Sequence, residues 1–117
     1  MSFSPSTFLF RFAMTPDDFR RLALSQRKAV EVYRWGHLEF CVSQRSFASL
    51  AGPAESVATV QLNSEQQALF VGAAPRIFVP APGAWGRLGA TSVALAYAYE
   101  AIVESALAAA WRNIISI

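Results

Sequence analysis

VEVYRWGHLEFCVSQRSFASLAGPAESVATVQL, residues 30–62, decides the fold. An alternating pattern puts every second side chain on the same face of a strand. Residues 30–35 (VEVYRW) alternate apolar with charged side chains up to the tryptophan. Residues 38–42 (LEFCV) send Phe40 and Val42 to one side, Glu39 and Cys41 to the other. Residues 46–51 alternate again, less regularly at Phe47 and Leu50, and residues 56–62 place Ala58, Val60 and Leu62 on one face. Gln44-Arg45 reads as a hairpin tip, although it lacks the glycine that tight hairpins favour. Gly52-Pro53-Ala54-Glu55 reads as the next turn. Short strands in sequence, joined by tight turns, pair antiparallel.

Helical signals flank this run. Thr15-Pro16-Asp17-Asp18 is a helix start, with a capping hydroxyl, a proline suited to the first helical position and two aspartates at the positive end of the dipole. Phe19, Leu22, Ala23 and Gln26 share a face at helical spacing. If that helix continues, Arg20 with Arg27 and Arg21 with Lys28 stack on the other face. Asn63, with Gln66 three residues on, is a capping box for a second helix. Leu69, Phe70 and Ala73 give that helix a short apolar stripe, and Pro75 ends it. Residues 77–79 and 91–96 read as two further strands. Residues 97–116 form the last helix, with Val103, Leu107, Ala110 and Ile114 on one stripe, widened by Ile102, Ala106 and Ala109. The order is helix, three or four strands, helix, two strands, helix. It predicts an α+β two-layer sandwich, an antiparallel sheet with helices on one face.

Between the last two strands lies FVPAPGAWGRLGAT, residues 78–91. Pro80 and Pro82 remove two N–H donors and favour extended backbone. Gly83, Gly86 and Gly89 permit positive φ or close backbone approach. Trp85 either packs down to lock this loop or, with Arg87, offers a stacking and cationic pair suited to unpaired bases. The glycine spacing does not match a phosphate-binding loop, so no nucleotide cofactor is expected.

The composition narrows the function classes. The 117 residues suit one domain, and 54% are hydrophobic while only 15% are charged, against roughly 25% in a typical domain. That excludes disorder and points to apolar surface covered by a partner, either another protein or a second copy of the chain. The net charge of +2 pulls only weakly on polyanions. Nine of the ten basic residues are arginine, a side chain suited to bidentate phosphate contact, though GC-rich coding produces the same skew. One cysteine and one histidine make neither an intrachain disulfide nor a Cys/His zinc site, so no metal is expected. No apolar run reaches the roughly 18 residues of a membrane span. Residues 1–13 lack a basic leader region and Arg11 interrupts their apolar stretch, so a cytoplasmic location is expected.

Several segments together resemble the MmcQ/YjbR family of small bacterial cytoplasmic proteins. They are MTPDDFRRLAL (14–24), WGHLEF (35–40), SFASLAGP (46–53), VQLNSEQQALF (60–70), IFVPAPGAWGRLGAT (77–91) and the acidic-then-tryptophan last helix (100–111). The resemblance implies a secretion-chaperone-like α+β fold in the order α-β-β-β-α-β-β-α. It also implies a DNA-binding role that is itself a prediction for that family. Its usual start falls at Met14. Residues 14–117 are therefore read as the single domain, and residues 1–13 as an N-terminal extension, either disordered or the product of an upstream start. The chain has Gln61 where that family often has lysine, and Ser43-Gln44-Arg45 where its first hairpin is often rich in glycine.

No nucleophile, base and orienting group stand together, so a non-enzymatic binding protein is expected. His37, before a strand and on the same side as Glu39, is a candidate ligand contact. Cys41 reads as a small buried residue. Arg20, Arg21, Arg34, Arg45 and Arg87, with Trp85, are the candidate nucleic-acid contacts, and Arg27 extends the first-helix group. The alternative is a protein-interaction adaptor similar to secretion chaperones, working through an apolar surface or as a homodimer.

Overall fold

The computed structural model describes residues 13–52 and 55–116. The extension expected at residues 1–13 lies, save for Ala13, outside them. In chain order the elements are α1 (Pro16–Leu24), β1 (Val30–Arg34), β2 (His37–Val42), β3 (Arg45–Ala51), β4 (Val57–Gln61), α2 (Ser64–Ala73), β5 (Phe78–Pro80), α3 (Gly83–Arg87), β6 (Ala90–Val93), a 3-10 turn (Leu95–Tyr97) and α4 (Glu100–Ile115). Six strands form one sheet in the order β1-β2-β3-β4-β6-β5, and all neighbours are antiparallel. The fold is α+β. Four strands rather than three precede α2, because the segment after α1 pairs fully with β2.

Register explains the two faces. Leu38, Leu50, Ala58, Val93 and Phe78 form one row across five strands, and Phe40, Ala48 and Val60 belong to the next row on the same face. All of these side chains are buried in the core. The face is covered by α1 and α4, which also pack against each other. Phe19 of α1 meets Phe40 edge-on at 6.2 Å, and Val103, Ala106, Leu107 and Ala110 of α4 complete the cluster. Each large side chain buried there contributes roughly 2 kcal/mol. Phe70 of α2 packs edge-on to Phe78 at 5.1 Å, so α2 covers the β5 end of the same face.

The helix starts form as the sequence predicts. Thr15 and Asp18 make a reciprocal capping box, and Asn63 and Gln66 make a second. Other expectations are corrected. The first helix stops at Leu24, so Arg27 and Lys28 never join an arginine stack on it. Of the stripe expected on α2, Phe70 packs against the core, but Leu69 and Ala73 are exposed, and Val71 and Ala74 take their place. Trp35 is not the end of a strand but, with Gly36, a two-residue turn between Arg34 and His37. Its backbone lies at positive φ and its side chain is almost fully exposed.

Candidate functional site

The second sheet face carries no comparable row of large apolar side chains. Glu39, Ser49, Thr59 and Ser92 stand side by side in register across β2, β3, β4 and β6, all half-buried. Strand alternation forces this: the residues between them point into the core. His37 precedes Glu39 by two and shares its side. Gln61 stands opposite Ala90 at the other end. Above Glu39, Ser49 and Thr59 of this row lies an open groove of about 1000 Å³. His37, Glu39 and Arg45 line one side, and Trp85 and Leu88 the other, while Asn113 and Ile114 in the last turn of α4 close an end.

The Trp85 wall is held by backbone contact rather than by its tryptophan. A Cβ on Gly86 would overlap the Ala81 carbonyl oxygen, and one on Gly89 would overlap that of Leu62. The Gln67 amide donates to the carbonyls of Gly86 (3.0 Å) and Ala90 (3.1 Å) and to Thr91 Oγ1 (3.2 Å). Thr91, fully buried, donates in turn to the Gly89 carbonyl at 2.8 Å. Trp85 is left 71% exposed, so it does not lock the loop. At the closed end, Asn113 Nδ2 donates to Gln66 Oε1 (2.8 Å) and Gln66 Nε2 donates to Asn113 Oδ1 (3.1 Å). That amide is thereby fixed at the groove wall.

The candidate residues divide. His37, Arg45 and Trp85 converge on the groove. Arg45 makes no ion pair among the described residues. Arg34 lies on the same face, in register with His37, but outside the lining; Arg87 is exposed at the end of α3, also outside it. Arg20 and Arg21 lie away from the groove and are engaged. Arg20 donates twice to Glu31, at 2.6 and 2.7 Å, and Arg21 donates to Glu100 at 2.6 Å. The Arg20 hydrogen bond holds the Glu31 carboxyl below its usual range and raises the guanidinium pKa. Cys41 is buried outside the core cluster, and burial first, then the Glu39 charge, pushes its thiol pKa up.

The sequence reading did not single out Ser46, Ser49, Thr59 or Asn113; it took Asn63 only as a helix cap and Gln61 only as a residue standing where the resembled family often has lysine. For Ser46, Ser49, Thr59 and Gln61 the only signal was that small hydroxyl and amide side chains recur at the outward positions of β3 and β4. The groove offers one arginine, one carboxylate, one imidazole, hydroxyls, amides and an exposed indole, beside apolar lining residues such as Leu62, Leu88 and Ile114. That set can hydrogen-bond and stack, but it carries little net charge. Among the described residues no cluster of His, Cys, Asp and Glu could hold a metal ion, and no helix is long and apolar enough to cross a membrane. No protein-family model, curated protein or solved structure matches the chain.

Proposed function

We propose that this is a non-enzymatic nucleic-acid-binding protein that works through the open sheet face. The observation that supports the reading is the convergence of Arg45, Trp85 and His37 on one groove whose lining also holds hydroxyls, amides, one carboxylate and apolar side chains such as Leu88 and Ile114. An exposed indole stacks on any base, and an arginine beside it contacts phosphate. The reading agrees with the DNA-binding role implied by the MmcQ/YjbR resemblance, which together with a cytoplasmic location belongs to the same proposal. It differs in which arginines matter. Arg20 and Arg21 serve the fold, and Arg45, with Arg34 nearby, serves the ligand.

Fluorescence anisotropy of labelled single- and double-stranded DNA at several salt concentrations tests this. Arg45 and Arg34, neither ion-paired among the described residues, give a log–log salt slope of roughly −1.4 for a single strand. Trp85→Ala and Arg45→Ala each weaken binding about tenfold. Arg20→Ala with Arg21→Ala leaves affinity within about twofold. Absence of binding at low salt would remove the proposal. The adaptor reading, including a homodimer, is favoured by Leu88 and Trp85, exposed at 74% and 71% beside each other's segment of the groove wall. It gains if the protein self-associates with no salt-sensitive affinity for DNA and Leu88→Glu abolishes the association.

A further inference from the structure

We infer that Glu39 makes the groove a reader of single-stranded bases that prefers guanine to thymine, an inference that rests on the nucleic-acid reading above. Glu39 is half-buried in the groove floor, with Val32 and Ser49 as its register neighbours and His37 on the same side of the strand. Among the described residues it forms no ion pair. A carboxylate there repels phosphate. A strand lying in the groove therefore keeps its phosphates at the rim, where Arg45 stands, and turns its bases inward. The Glu39 charge is already felt on this face, since it adds to burial in pushing up the Cys41 thiol pKa.

An ionised carboxylate only accepts hydrogen bonds, whereas hydroxyls such as those of Ser49 and Thr59 both donate and accept. The discrimination thus falls on Glu39. Guanine presents two adjacent donors, N1–H and N2–H, that match the two carboxylate oxygens. Thymine presents one N–H between two carbonyl oxygens, which face the carboxylate with like partial charge. In a duplex these edges are consumed by pairing, so the groove reads an unpaired strand.

The experiment compares a labelled thymidine hexamer with the same hexamer carrying two central guanines, and with a duplex of the latter, by anisotropy at low salt. The wild-type protein is expected to hold the guanine hexamer about tenfold tighter than the thymidine one, as a single bidentate contact provides. Glu39→Gln, checked for folding by circular dichroism, should bring that ratio close to one and hold the thymidine hexamer as well or better. Its amide keeps one acceptor and gains a donor. Equal wild-type affinity for the two hexamers, or equal affinity for the duplex, overturns this inference and leaves the nucleic-acid reading standing. Binding of neither hexamer by the wild type overturns this inference, and binding of neither hexamer nor duplex overturns the nucleic-acid reading as well.

Discussion

Two glycines decide whether the Trp85 wall exists. Gly86 takes ordinary helical φ, so its role is space, and Ala81 occupies the room that a Cβ would need. Gly72 is the matched control: it lies inside α2 with no atom within 4 Å of where a Cβ would stand. Glycine within a helix costs about 0.5–1 kcal/mol relative to alanine when nothing blocks the side chain. Gly72→Ala should therefore raise stability by about that amount, while Gly86→Ala should lower it by about 2 kcal/mol or more, as a backbone clash does. Urea denaturation of the two variants measures both. If Gly86→Ala is neutral, close approach does not hold the wall, and the exposure of Trp85 needs another cause.

Both hairpins of the β1–β2–β3 meander turn in two residues, and both central residues of each lie at positive φ. They are 56° and 76° at Trp35-Gly36, and 52° and 66° at Ser43-Gln44. Such a turn matches the twist of the strands, but it favours Asn-Gly, and a non-glycine residue in this region carries strain. The second turn has no glycine, and its register is imposed by Phe40, Val42 and Phe47 on the core face. Replacing Ser43-Gln44 by Asn-Gly should therefore stabilise the protein by about 1 kcal/mol while leaving Arg45 in place, read as a higher urea midpoint with an unchanged slope. A loss of stability would mean that these side chains make contacts that the strain argument ignores. The strands themselves were legible because one buried face imposes alternation. The Trp35 turn was not, because a large aromatic residue at positive φ carries none of the usual turn chemistry. Helix α3 was not, because two glycines in five residues oppose helix formation and only the contacts at Ala81 and Gln67 settle it. The groove floor was legible only as a set of outward positions. Its assembly depends on register between residues 39, 49 and 59, which no local pattern encodes.

At the scale of the molecule, α1 is the element whose arginines have two competing uses. Its buried side holds Phe19, Leu22 and Ala23, and its exposed side is tied to β1 through Arg20–Glu31 and to α4 through Arg21–Glu100. Trp111 of α4 adds an indole N–H donated to the Arg27 carbonyl at 2.9 Å, which pins the segment between α1 and β1. The Glu31 carboxyl titrates below its unfolded value, chiefly through the hydrogen bond from Arg20. The folded state thus binds fewer protons than the unfolded chain at this site. The stabilisation is present in full above the usual carboxylate range, near pH 4.3, and is lost as pH falls through the lowered value. Exposed pairs are weak, so Glu31→Gln should lower Tm at pH 7 by only about 2 °C. That gap should close as the pH is brought below the lowered value of the Glu31 carboxyl. A gap that persists in acid would assign the loss to packing of the Glu31 side chain rather than to its charge. Arg20 would then be no more committed to the fold than Arg45, and the proposed division of the arginines between the fold and nucleic acid would lose its physical basis.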